Sequence, residues 1–362
     1  MFRTWALAAV LLIAAPMLTA SALAADVPPE LAKVIEGAKK EGKLVVSTSA
    51  SLFNAGEGAR FAAEHMNKMF GTSIEVTWAP GPHPAQIGAK LMGEFQAKQP
   101  AFTDILLGTP SQFAPLLKAG LFHEVKWDKM MPERVKPQLV ESQGRALRVY
   151  TSVPAILWHQ SQAANGEKVT SMADFLKPEW KGKFFSTAQA SVFDVLTSEQ
   201  LWGESKVTDY VTKMAKQASG LIECGAGDRI ASGEVPVFVI DCSGNDIYTP
   251  KYNGIIKGKV LQDFAQLRYG YMGVPKNAAH PNAAMLYTLW WATPEANAYN
   301  WSTRGIDMSG YPESKRRTMV IEPLLKQGMK FTEVTIEWWE NQKGLDQAFR
   351  RVVKALNESA AK

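Results

Sequence analysis

Hydrophobic positions along the chain recur with two alternating periods. Leu31, Val34, Ile35 and Ala38 fall at i, i+3, i+4 and i+7 behind Pro28-Pro29, which predicts an amphipathic helix that Gly42 ends. Lys43–Val46 then reads as a short buried strand that runs into the polar stretch Ser47–Ser51, and a second helical pattern covers roughly Gly58–Met69. Ile74–Trp78 alternates as a strand does. The rhythm repeats with a strand at Thr103–Leu107, a turn at Gly108–Ser111 and a helix at Gln112–Lys118 stopped by Gly120. Strands alternating with helices predict an α/β fold with mostly parallel sheets covered on both faces. Such sheets hold ligands beyond the carboxyl ends of their strands, where Ser47–Ser51 and Gly108–Ser111 fall.

From Arg148 the pattern changes. Val149–Trp158 reads as extended, and Pro154 argues against an interior strand position there. A second β/α series follows from about Ser171 to Leu267, then a second extended piece, Leu267–Val274, then Pro275 and a helix-rich end. Two extended crossings around a second β/α unit predict two lobes on a hinge. Residues 25–149 with 275–362 form the expected first lobe, and 150–274 the second. Near the end, Leu345, Phe349, Val352, Val353 and Leu356 make one apolar stripe, expected to pack onto a lobe.

The first residues change the picture of where the chain works. A short basic start, the apolar run Trp5–Ala15 and the Ala22-Leu23-Ala24 site read as a cleavable signal peptide over residues 1–24. The apolar run is too short to span a bilayer, which takes about 20 residues, so the mature protein is expected to be exported and soluble. Hydrophobic residues at 46% and charged ones at 21% fit a globular chain. The net charge of +5 is spread out, and Lys315-Arg316-Arg317 reads as a solvated face. No basic stripe interleaved with aromatics suggests nucleic acid.

Cys224 and Cys242 are the two cysteines, and in an oxidising compartment a pair favours one disulfide. Each is expected at the carboxyl end of a parallel strand, with one helix between, so the bridge requires the two strands to be neighbours about 4.8 Å apart.

Catalytic patterns are missing. The 5 histidines are scattered, with no zinc-ligand spacing, and no G-x-S-x-G elbow or phosphate loop occurs. Gly225-Ala226-Gly227 lacks the third glycine of a dinucleotide fingerprint and reads as a tight strand-to-helix turn. Trp290-Trp291 and Trp338-Trp339 read as core rather than as stacking platforms. The expectation is therefore a non-enzyme with no cofactor and no metal.

Two segments carry a family signature. Ser171–Lys183, SMADFLKPEWKGK, resembles the "DLLxPxWKGK" stretch of periplasmic solute-binding proteins of the iron(III)/thiamine/polyamine group. Val274–Ala284, VPKNAAHPNAA, resembles the same family's helix start, and Glu41–Val46 and the Gly233-centred ASGEVPV fit as well. Both segments are structural. Ser171 can cap a helix with Asp174 in its first turn, and Pro281 suits a first turn after His280.

The resemblance implies a two-lobe periplasmic-binding-protein fold of type II. It also implies a monomer that closes on a small solute and delivers it to an ABC importer's inner-membrane permease. The same fold presenting ligand to a membrane sensor is the alternative partner. By this analogy the crevice is lined from the first lobe by Ser49, Ser51, Gly108 and Thr109, and from the second by Ala190, Ser191, Asp241, Ser243, Asp246 and Tyr248, with Ser152 at the crossing. Ferric-binding members carry a tyrosine pair after the strand matching Val235–Ile240, where this chain has Ser243-Gly244. A small organic anion or zwitterion is therefore expected ahead of iron, since hydroxyl-rich loops before helix N-termini suit an oxyanion.

Overall fold

The computed structural model describes residues 27–48, 55–82 and 84–361, so the expected leader and Ser49 and Ser51 lie outside the described residues. The first helix, Pro29–Glu41, starts on Pro29 and stops at Gly42, whose φ of +63° lets its N–H reach Ala38 O. Lys39 and Lys40 sit in its last turn, where the helix dipole favours cations.

Among the described residues twelve strands follow one another: β1 (Lys43–Thr48), β2 (Glu75–Pro80), β3 (Leu106–Gly108), β4 (Val140–Glu141), β5 (Ala146–Ser152), β6 (Ala155–His159), β7 (Phe185–Thr187), β8 (Gly220–Ile222), β9 (Val237–Asp241), β10 (Ile256–Lys259), β11 (Gln266–Gly273) and β12 (Thr332–Val334). β1 pairs in parallel with β2. One larger sheet runs β12-β11-β5-β4, with β3 also on β11, and the other runs β10-β6-β9-β7-β8.

The expected mostly parallel sheets are in fact mixed, and the crossings explain why. β7, β8 and β9 are mutually parallel through β7, whereas β6 runs antiparallel to β9. β5 and β6 are one stretch broken only at Val153-Pro154, so β5 ends where the lobes meet and β6 sets out from there. Likewise β11 runs antiparallel to β3 and β5. Strands that approach the junction are thus opposed to strands that leave it, which points the carboxyl ends of β3, β5, β7 and β9 at one region.

The second extended piece, Leu267–Val274, is largely β11 and lies in the sheet of the first lobe. The C-terminal stripe also packs elsewhere than with residues 275–344. Helix Leu345–Ala360 lies across helix Gly203–Gln217, and Val352 and Leu356 share one core with Val207, Val211 and Met214. The chain therefore passes between the lobes three times. Trp290 and Trp291 are fully buried in the largest core cluster, and Trp339 packs among Ala114, Val195, Val334 and Leu345.

Local signals behave as the side chains dictate. Ser171 Oγ accepts from Ala173 N while Asp174 reaches back to the Ser171 N–H, capping a single 3-10 turn, Met172–Leu176. Helix Pro281–Trp291 begins on Pro281. Helix Pro84–Gln96 was not anticipated, because Gly88 and Gly93 interrupt its apolar spacing.

Candidate functional site

The loop beyond β9 is organised by its first residue. Asp241 is fully buried, and its Oδ2 accepts from Ser243 N, Ser243 Oγ and Gly244 N at 3.0, 3.0 and 2.7 Å. Its Oδ1 accepts from Gly225 N, 3.3 Å away in the loop beyond β8. The carboxylate and the Ser243 hydroxyl are thus used to shape the loop. Gly244 has φ +59°, and a Cβ there would lie 2.3 Å from Val153 O, so glycine permits the loop to press on the first crossing. Val153 N in turn donates to Ser243 O at 3.1 Å.

Cys224 and Cys242 form a disulfide with Cα atoms 5.8 Å apart. The neighbouring-strand requirement proves unnecessary, because β7 stands between β8 and β9. Both cysteines lie past the ends of their strands, where the loops converge over the end of β7 and the Thr187 hydroxyl comes within 3.6 Å of Cys224 Sγ. Strand spacing constrains the strands and not the loops that leave them. Replacing both cysteines with serine is expected to cost about 3 kcal/mol from the loop of roughly 18 residues they close, read as a lower denaturation midpoint with a steeper slope, since the uncrosslinked unfolded chain exposes more surface.

Further along the loop, Asp246 is 6% exposed and its Oδ2 has no hydrogen-bond partner among the described residues. Burial, with help from the Asp241 charge, pushes its carboxyl up to about 7, although Lys251 and Arg304 pull the other way. Asn245 Nδ2 and Thr249 Oγ1 both donate to Arg304 O at 3.0 Å, tying this loop to the end of helix Pro294–Arg304. Tyr248 is half-buried, its ring 5.5 Å from that of Trp301 and 5.4 Å from the Arg316 guanidinium.

Arg316 overturns the reading of Lys315-Arg316-Arg317 as a solvated face. Its flanking residues are exposed, but Arg316 is fully buried and donates to Gly305 O at 2.7 Å. Its Nε and Nη1 have no hydrogen-bond partner among the described residues, and desolvation lowers its pKa to about 10.

Two more arginines stand where the crossings meet. Arg268, near the start of β11, is opposite Ser152 and binds Asp194 through both nitrogens, at 2.6 and 2.7 Å. Asp194 belongs to the turn Phe193–Leu196, which follows the loop beyond β7. Gln266 Nε2 donates to Val192 O in that loop, where Ala190 and Val192 hold φ of +49° and +78°. Burial raises the phenol pKa of Tyr150, and the charges of both Arg304 and Arg268 act against that rise. Its ring covers Gly270, where a Cβ would sit 2.1 Å away.

The remaining expected residues divide. Ser152 is buried at the junction and Ser191 is half-buried; neither hydroxyl has a described partner. Ala190 is buried, its left-handed backbone turning the chain toward Asp194. Thr109 is taken up by capping, since Gln112 Oε1 accepts from both its N–H and its hydroxyl at 2.6 and 2.9 Å. Gly108 is buried in β3 opposite Tyr271. Tyr150, Asp194, Arg268, Arg304 and Arg316 were missed. Arg268 carried the clearest signal, a lone cation inside an otherwise apolar crossing strand; Arg316 was masked by its exposed neighbours. Among the described residues no group of acidic, histidine or cysteine side chains could hold a metal ion, and no helix is long and apolar enough to cross a membrane.

Comparison with known proteins gives this geometry a context. No protein of curated function is matched by the sequence. Solved structures share the fold. AfuA from Actinobacillus pleuropneumoniae, with exogenous fructose-6-phosphate bound, is 16% identical with a TM-score of 0.68, over 87% of this chain and 98% of that one. MotA from A. tumefaciens B6 in complex with glucopine is 17% identical, TM-score 0.64, over 87% and 99%. Apo ferric ion-binding protein A from Pasteurella haemolytica is 15% identical, TM-score 0.62, over 88% and 98%. They are two-lobe type II periplasmic binding proteins with different cargoes, so the fold by itself names none. The model of the bacterial extracellular solute-binding proteins matches residues 59–313, and the chain belongs to that family, a solute-binding protein of ABC importers and not an enzyme.

Proposed function

We propose that the protein works in the periplasm as a monomeric receptor that closes its two lobes on a small organic anion or zwitterion and hands it to an inner-membrane permease. The carrying observation is the set of guanidinium groups at the junction of the lobes, the half-buried Arg304 and the buried Arg268 about Tyr150 and the buried Arg316 behind Tyr248. Arg268 among them is held by Asp194 through two parallel hydrogen bonds. Cations removed from water attract an anion far more strongly than exposed ones do. The hydroxyls of Ser49, Ser51, Ser152 and Ser191 are proposed to complete the cage, and contacts from both lobes drive closure.

A thermal-shift screen of organic acids, amino acids, phosphonates, polyamines and ferric salts tests this. A bound solute at 100 times its dissociation constant is expected to add about 2.7 kcal/mol, and Arg304→Ala to abolish that gain. A shift with polyamines or ferric salts alone would reject the reading.

A further inference from the structure

The Asp241–Asp246 loop carries two buried carboxylates whose situations differ. Asp241 is saturated by four hydrogen bonds from its own loop and its neighbour. Asp246 has a buried oxygen with no donor, although Arg304, on the other lobe, is close enough for each to act on the other's ionisation. A buried carboxylate oxygen without a donor is costly, so it calls for a partner from outside the described residues. The position also fits a ligand contact, since the loop follows a strand end that faces the lobe junction.

Resting on the reading above, we propose that the solute is a zwitterion whose ammonium group is received by Asp246 while its acid group lies toward Arg304 and Tyr150. An ammonium brings N–H donors to the orphaned oxygen and a positive charge to a carboxylate that already feels Asp241. A plain anion would bring a like charge to the same place. The two ends of the solute would thus be read by opposite lobes, Asp246 from the second and Arg304 from the first, so a molecule lacking either end closes the protein less well.

Proton linkage provides a signature that a merely structural Asp246 lacks. The groups facing it are Asp241 at the end of β9, Asp228 from the turn Gly227–Ala231, Lys251 and Tyr252 from the turn Pro250–Tyr252, and Arg304. Burial first, then the charges of Asp241 and Asp228 against those of Lys251 and Arg304, leave its carboxyl raised to about 7. An ammonium requires the ionised form, so its binding expels a proton near neutral pH. Affinity falls as pH drops through 7, by about tenfold per unit once the acid form dominates.

Titration calorimetry on the mature full-length protein decides the matter with matched probes: 4-aminobutyrate against butyrate, L-alanine against propionate, and 2-aminoethylphosphonate against ethylphosphonate, with putrescine as a plain cation. In a pair that binds, the amino member should be at least about tenfold tighter at pH 8 and release a proton at pH 7. Asp246→Asn, checked for folding by its melting curve, should abolish both effects while retaining the deaminated member. Equal or tighter binding of the deaminated members overturns the ammonium contact and leaves the anion receptor intact. Binding of putrescine without any acid overturns both, and a panel in which no amino member exceeds its partner also counts against the inference. Loss of the preference in Asp246→Asn with no proton release in the wild type overturns the direct contact.

Discussion

Arg268→Ala is expected to lower the stability of the protein by about 3–5 kcal/mol. The guanidinium is buried and fits Asp194 with two short parallel bonds, so truncation leaves a carboxylate in the interior with no cation to balance it. Burial alone would make Arg268 easier to deprotonate, but the Asp194 charge and hydrogen bonds hold its pKa above the ordinary arginine value. The cost therefore comes from stranding the partner and not from the intrinsic worth of the pair. Replacing both members together, Arg268→Met with Asp194→Leu, should recover most of the loss. Urea denaturation of the two single variants and the double variant measures this, and a double variant as unstable as Arg268→Ala would contradict it. The pair also joins β11 of the first lobe to the turn after β7 in the second. The double variant should accordingly show a changed open-to-closed balance by small-angle scattering even where its stability is restored.

Asp104→Ala carries the second large effect. Asp104 is 1% exposed and serves three donors: Val45 N at 2.7 Å, His280 N at 3.0 Å and His280 Nδ1 at 2.9 Å. Two of these are backbone groups from segments far apart in sequence, the middle of β1 and the residue ahead of helix Pro281–Trp291. Each donor left unsatisfied in the interior costs about 1–3 kcal/mol, so a loss of about 3–5 kcal/mol is expected. Asp104→Asn keeps one acceptor oxygen and should lose less than half as much. Amide hydrogen exchange at Val45 reports the same event locally, and unchanged protection there in Asp104→Ala would rule the account out.

Much of the fold was legible because its signals are local. Pro29 and Gly42 bound the first helix through backbone geometry that neither residue can avoid, and Ser171 with Asp174 caps a turn by side chains three residues apart. Strand direction was less legible, since a crossing strand such as β6 takes its sense from the sheet it joins and not from its own residues. The site was legible as loops and only partly as side chains. Asp241 and Thr109 are polar residues at the right strand ends, but both are spent on their own loops. Asp194 and Arg268 read as unremarkable charges until folding places them face to face across 74 residues of sequence. The cysteine pair was found from compartment and count, while the geometry invoked for it assumed adjacent strands, which the loops make unnecessary.

The third passage between the lobes governs the order in which the protein can be made. Val352 and Leu356 fill the core built by residues 156–264, so that half of the molecule stays unfinished until the 80 residues 265–344 have followed it. During synthesis the first lobe has all its strands before the second has its last helix. A fragment stopped at residue 344 should keep the first half folded and leave the face of helix Gly203–Gln217 bare, a sticky intermediate that a chaperone would hold.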